Sequence, residues 1–182
     1  MTASLRMPAL LRPSIAFAAT ATAGGVVATF LPAAAPGASG TLLAGALLAH
    51  AGATTVSRWW AGRFGDRHGS GRLLTPGVLL TGAGMLLLVL VADPVALFAA
   101  MVLVGAGFGV VQNVTLAVML ERVPPSGFGT VSALWSVAYD AGYGLGAAGV
   151  GLLAVSTGYP AAFALNGLMV LAVLVATRGR RR

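Results

Sequence analysis

Apolar residues run almost without a break through six segments, at about 13–32, 39–61, 73–92, 94–120, 127–155 and 160–177. A hydrocarbon core takes roughly 20 apolar residues in a helix, so each segment is predicted to be a membrane-crossing α-helix. Proline punctuates several of the breaks, as it does at helix boundaries generally. The helices of a water-soluble protein would each keep a polar face, and these segments have almost none. The first segment is too long for the apolar part of a secretory leader and has no convincing cleavage site, so it counts as a helix.

Composition agrees with that pattern. Of 182 residues, 58% are hydrophobic and 8% are charged, where a soluble domain carries about 25% charge. Cysteine is absent, which removes disulfides and thiolate metal sites. The 26 glycines suit membrane helices, where glycine lets backbones approach closely.

The net charge of +7 would suit a nucleic-acid partner if it were gathered on one folded basic surface. It is instead distributed by loop. Arg6 and Arg12 precede the first span, Arg58 stands at the end of the second, and Arg63, Arg67 and Arg72 lie in the connection to the third. Arg122 follows the fourth span, and Arg178, Arg180, Arg181 and Arg182 follow the sixth. In a six-span chain all of these fall on one side. The intervening connections, "PAAAPGAS", "ADP" and "STGYP", have none. The positive-inside rule then places both termini in the cytoplasm. Residues 1–12 become a cytoplasmic tail, 13–177 the transmembrane unit and 178–182 a basic cytoplasmic tail. Exclusive use of Arg over Lys, with much Ala, Gly and Val, suits a GC-rich bacterial genome and a bacterial cytoplasmic membrane. The basic charge is topological, with a secondary attraction to anionic lipid, and no nucleic acid is expected.

The connection "GRFGDRHGSGRLL" is more ordered than topology alone requires. It holds Gly62, Asp66, Arg67, Gly69 and Arg72, and Ser70-Gly71 stands before that last Arg. It resembles the signature loop Gly-x-x-x-Asp-Arg-x-Gly-Arg-Arg of the major facilitator superfamily, which joins the second and third helices of a six-helix half. The Ser-Gly pair is an insertion relative to that pattern. "SALWSVAYDAGYGLGAAGVG" is similar to the eleventh helix, and "ATAGGVVATFLP" to the seventh, of drug- and sugar-efflux members. The resemblance implies an all-α C-terminal half-bundle of two inverted three-helix repeats. It would move a small solute by alternating access, with Gly62, Asp66, Arg67, Gly69 and Arg72 as a conformational latch in which Arg residues hold a carboxylate such as Glu121. A second six-helix half is needed, whether in a longer protein, on a separate chain or as a second copy. "MTASLRMPALLRP" suits the end of a central linker, which favours a fragment.

Ionisable groups at membrane depth are candidates for function. Asp140, in the fifth span between Tyr139 and Tyr143, is the candidate proton carrier, and proton antiport implies efflux. The alternative is a structural carboxylate bonded to a neighbouring helix. His50, halfway along the second span, can couple protons, contact solute or simply pack. Gln112, Asn113, Tyr139 and Tyr143 are candidate solute contacts, and Asn166 is more simply an interhelical amide. Arg58, beside Trp59 and Trp60, is expected to extend to the interface. Gly105 and Gly109, and Gly142 and Gly146, have the spacing of close helix crossings.

Enzyme chemistry finds no support. There is no His-Glu-x-x-His run, and the one membrane-depth His has no obvious Ser partner. Without lysine there is no phosphate-binding Gly-Lys loop. Neither metal nor cofactor is expected. A six-helix membrane scaffold, or a non-functional transporter fragment, is the alternative to transport.

Overall fold

The computed structural model describes residues 7–178, which excludes most of the two expected tails and with them Arg6, Arg180, Arg181 and Arg182. Within that range lie six α-helices: α1 (Met7–Ala34), α2 (Gly40–His68), α3 (Leu74–Leu87), α4 (Pro94–Leu120), α5 (Phe128–Thr157) and α6 (Tyr159–Arg178). A 3-10 turn, Ser70–Leu73, precedes α3, and another, Leu88–Leu90, ends it. The helix starts at one end are capped locally. Ser39 Oγ accepts from the Leu42 amide at 3.2 Å, and Asp93 Oδ1 accepts from the Ala96 amide at 2.8 Å, with Pro94 at the first turn.

Residue registers fix the helix directions. Against α4, α2 pairs Gly45 with Phe98, His50 with Gly105 and Arg58 with Gln112, so the two run parallel. In the same way Ala18 meets Gly142 and Thr22 meets Gly146, which makes α1 and α5 parallel. Across α3 and α4, Gly77 lies by Val111 while Gly84 lies by Val104, an antiparallel pair. The helices therefore alternate in direction, and residues 7 and 178 lie at the same end of the bundle.

Helices α1 and α4 form the centre. Phe17, Val26, Val27 and Leu31 of α1 and Leu97, Met101, Val104 and Val111 of α4 are buried. Helix α2 packs on α4, α5 packs on α1, and α3 and α6 close the remaining side. Exchanging α1–α3 with α4–α6 keeps the two main pairings, α2 on α4 and α5 on α1, while α3 packs more closely on α4 than α6 does on α1.

Two glycine pairs make the closest crossings. A Cβ on Gly105 or Gly109 would overlap the backbone carbonyl of His50 or Thr54. A Cβ on Gly142 or Gly146 would overlap that of Ala18 or Thr22. Thr54 Oγ1 bridges the first crossing, lying 2.9 Å from the His50 carbonyl oxygen and 3.1 Å from that of Gly105. Without a hydrophobic drive between helices in lipid, such backbone contact and interhelical bonding supply the association.

Three of the helical stretches are long and apolar enough to cross a membrane by length and composition: Leu10–Ala34, Ser70–Leu90 and Pro94–Leu120. Helices α2 and α5 have the length but carry more polar residues. Those polar residues define the candidate site.

Candidate functional site

Helix α5 divides into three stripes. Val131, Ala138, Gly142, Gly146 and Val150 are buried against the bundle. Val137, Leu145, Leu152 and Val155 form an exposed apolar stripe. Ser132, Ser136 and Asp140 recur every four residues on a third, polar and exposed face, and Tyr139 and Tyr143 stand at its border with the packed face. From the start of α5, Asp140 lies about 18 Å along the axis, close to the middle of the helix. The structure gives it no interhelical bond. A structural tie to Tyr, Asn or Arg, the alternative for this residue, is not formed among the described residues.

Beside the two tyrosines is a pocket of about 240 Å³, lined by Gly24, Val27 and Ala28 of α1, Leu47 and His50 of α2, Phe108 of α4, and Tyr139 and Tyr143 of α5. Its wall is aromatic. The Tyr139 ring lies 5.6 Å from Tyr143, 5.8 Å from Phe17 and 6.1 Å from Phe108. Behind them the Trp135 ring stacks on Phe17 at 4.5 Å, and its Nε1–H donates to Thr115 Oγ1 at 3.2 Å. These contacts leave the wall little rotational freedom, since each ring is held by another or by a hydrogen bond. His50 Nε2 is buried without a hydrogen-bond partner. Leaving a buried polar atom unpaired costs about 1–3 kcal/mol, so a ligand that bonds it would recover that cost.

Other expected residues are placed elsewhere. Arg58 reaches across to α4, where its Nη1 donates to Gln112 Oε1 at 3.3 Å, while the side chain stays exposed. Gln112 is thereby engaged in an interhelical bond, and Asn113 lies beside Gly62. Neither lines the pocket. Asn166 ties α6 to α1, its Nδ2 donating to Thr22 Oγ1 at 2.9 Å, while its Oδ1 is buried and unpartnered. Phe108, Gly24, Val27 and Leu47 are pocket residues that the sequence did not mark. Nothing in a uniformly apolar segment distinguishes a lining residue from a core residue.

The Gly62–Arg72 stretch is mostly helix. Helix α2 continues past the expected end of its span to His68, and only Gly69, at φ 89°, breaks it. Gly69 is therefore needed for its left-handed backbone. Asp66, Arg67 and Arg72 are exposed. The contact with Glu121 comes from the inserted Ser70, whose Oγ donates to Glu121 Oε1 at 3.3 Å. Ser70 is 7% exposed and sits in the notch left by Gly65, where a Cβ would lie 2.8 Å from its Oγ. The insertion thus joins the 3-10 turn to the end of α4. Ser70→Ala is expected to cost about 1 kcal/mol, the net worth of one hydrogen bond, seen as faster amide exchange over residues 69–73 with the helices unchanged.

Arg12, Arg63, Arg67, Arg72 and Arg122 collect at the end of the bundle where α2 and α4 finish. The opposite end carries Asp93 and no Arg among the described residues. The charge asymmetry of the sequence is therefore one of the folded bundle too.

An all-helical bundle with three apolar helices of membrane length, one charged end and an aromatic pocket has the character of a membrane protein. The family model of the Major Facilitator Superfamily matches residues 14–182, and the chain belongs to that superfamily. Its members are transporters and not enzymes.

Proposed function

We propose that the chain is one six-helix half of a secondary transporter that moves a small solute by alternating access. All six helices cross a bacterial cytoplasmic membrane, with the Arg-rich end and both termini in the cytoplasm. The pocket of Gly24, Leu47, His50, Phe108, Tyr139 and Tyr143 is this half's share of the solute site. The observation that carries the reading is the juxtaposition of that pocket with the polar stripe of α5. An uncovered polar face at membrane depth needs water, solute or a second polar surface against it. A second six-helix unit supplies that surface, within a longer protein, on another chain or as a second copy.

The coupling is to protons and the direction is efflux. Asp140, exposed on the stripe one turn from Tyr143, carries the proton, and His50 contributes the second titratable group at this depth. Gly62, Asp66, Arg67, Gly69 and Arg72 act as the latch, since their exposed charges at the end of α2 face outward for a partner half to engage. The test is solute binding followed by the fluorescence of Trp135 and its neighbours, with flux in proteoliposomes under an imposed pH gradient. His50→Leu is expected to raise the half-saturating solute concentration about fivefold, the equivalent of one hydrogen bond of about 1 kcal/mol. Unchanged saturation would remove the pocket from the transport path.

A further inference from the structure

The half of α2 that ends at His68 carries a second feature, apart from the solute pocket and sharing only Arg67 with the proposed latch. Trp59, Trp60, Arg63, Phe64, Arg67 and His68 line a groove of about 360 Å³ on the outer flank of the helix. Its aromatic residues are held in place although they face outward. Trp59 is 61% exposed and Trp60 48%. The Trp60 ring lies 5.3 Å from Phe64, and Phe64 stacks on His68 at 4.5 Å. The Arg63 guanidinium rests 4.8 Å over the Trp59 ring, so its direction is set before any ligand arrives. His68 Nδ1 lies 3.3 Å from the Phe64 carbonyl oxygen, which orients the imidazole.

The charge in this groove is of one sign. Arg63 and Arg67 stand one turn apart on the same face and point outward, and His68 lies at the rim. The nearest carboxylate, Asp66, is on the neighbouring flank of the helix and does not line the groove. Two guanidiniums with no carboxylate between them match a phosphodiester, which accepts several N–H bonds at once. The exposed indoles match the glycerol and upper acyl region that lies immediately beneath such a headgroup. A free phosphate ion would use the guanidiniums and leave the indoles without a role.

We infer that this groove is a binding site for the headgroup of an anionic phospholipid, with Arg63 and Arg67 on the phosphate and Trp59 and Trp60 against the glycerol and chain. The site is separate from the solute pocket. It rests on the reading that α2 crosses the bilayer, which Gly71→Cys, at an exposed position with room for a side chain and labelled from one side only in intact cells, reports independently. A lipid held there would anchor the end of α2, and with it the turn that leads into α3.

The test uses the purified full chain and measures lipid retained on it by native mass spectrometry, with phosphatidylglycerol and phosphatidylcholine offered in equal amounts. Phosphatidylglycerol is expected to be retained in excess. Arg63→Gln and Arg67→Gln should each lower its retention about fivefold, the effect of one basic residue near an anionic surface, while phosphatidylcholine is unaffected and helical circular dichroism is unchanged. Arg72→Gln, which removes an equal charge outside the groove, should leave retention as it was. Equal retention of the two lipids, or equal losses from Arg72→Gln and Arg63→Gln, would overturn the site. Displacement of the lipid by millimolar inorganic phosphate would overturn the assignment to a lipid. None of these readouts depends on flux, so they stand or fall apart from transport.

Discussion

Gly142→Ala is expected to lower the stability of the folded bundle by about 1–3 kcal/mol, the usual cost of forcing one extra carbon into a closed contact, and Gly142→Leu to prevent native packing of α5 on α1. The reason is specific to what faces the glycine. Its added Cβ would meet the backbone carbonyl of Ala18, which cannot rotate away as the end of a side chain could. Gly146 faces Thr22 in the same manner, and Gly25 of α1 faces the carbonyl of Tyr143 from the other side of the same crossing. Moving α5 outward to make room would pull Tyr139 and Tyr143 from the pocket wall, so loss of stability and loss of solute binding should occur together. The internal control is Gly144→Ala, on the same helix with nothing within 4 Å of the added carbon. It should be neutral or slightly stabilising, since alanine is the better helix former by about 1 kcal/mol. The measurement is the unfolding midpoint of the purified chain in mixed micelles. Equal behaviour of the residue-142 and residue-144 variants would show that helix propensity, and not the crossing, decides.

Asp140→Asn should bring proton-driven flux to background while leaving the unfolding midpoint where it was. The side chain is exposed on the polar stripe and holds no interhelical bond among the described residues, so an isosteric amide removes a titrating group and little else. Its amide cannot take up and release a proton in the physiological range, and the coupling step is lost with it. Solute binding at the pocket should persist, because Asp140 is not among the lining residues. Flux at the wild-type rate in the Asn variant would make Asp140 a positioning residue for the partner surface. A fall in both flux and stability would make it structural.

Helix α2 shows where sequence reading stops. Its hydropathy falls at Arg58, and a one-dimensional reading ends the span near residue 61 and sends the guanidinium to the interface. The helix itself runs on to His68, since nothing before Gly69 forbids it, and Arg58 donates to Gln112 across the crossing at 3.3 Å, a partner that hydropathy does not show. Ser70 is the reverse case. As an insertion in a recognisable motif it looked like a departure from the pattern, yet it makes the contact with Glu121 that the arginines were expected to make. The signal was present in the sequence, as a small hydroxyl residue set after Gly65 and Gly69. Its meaning depends on which helix ends beside it.

The sequence by itself determined the class of fold. Long apolar segments, arginines gathered around alternate connections and glycines at four-residue spacing follow from composition and period, because lipid imposes the same demands on every residue of a span. It also marked His50, Asp140 and the tyrosines, since a polar residue stands out against an apolar background. Only the tertiary structure decided which of these meet. His50 joins Tyr139 and Tyr143 at one pocket, whereas Asp140, adjacent to Tyr139 in the chain, turns onto the open stripe, and Gln112 and Asn113 face α2. Phe108, Leu47, Val27 and Gly24 entered the site only through packing. The physical reason is that hydropathy records how much a residue avoids water. The direction it faces is set by the rotation of each helix about its axis, and that rotation is fixed by glycine crossings between segments far apart in the chain.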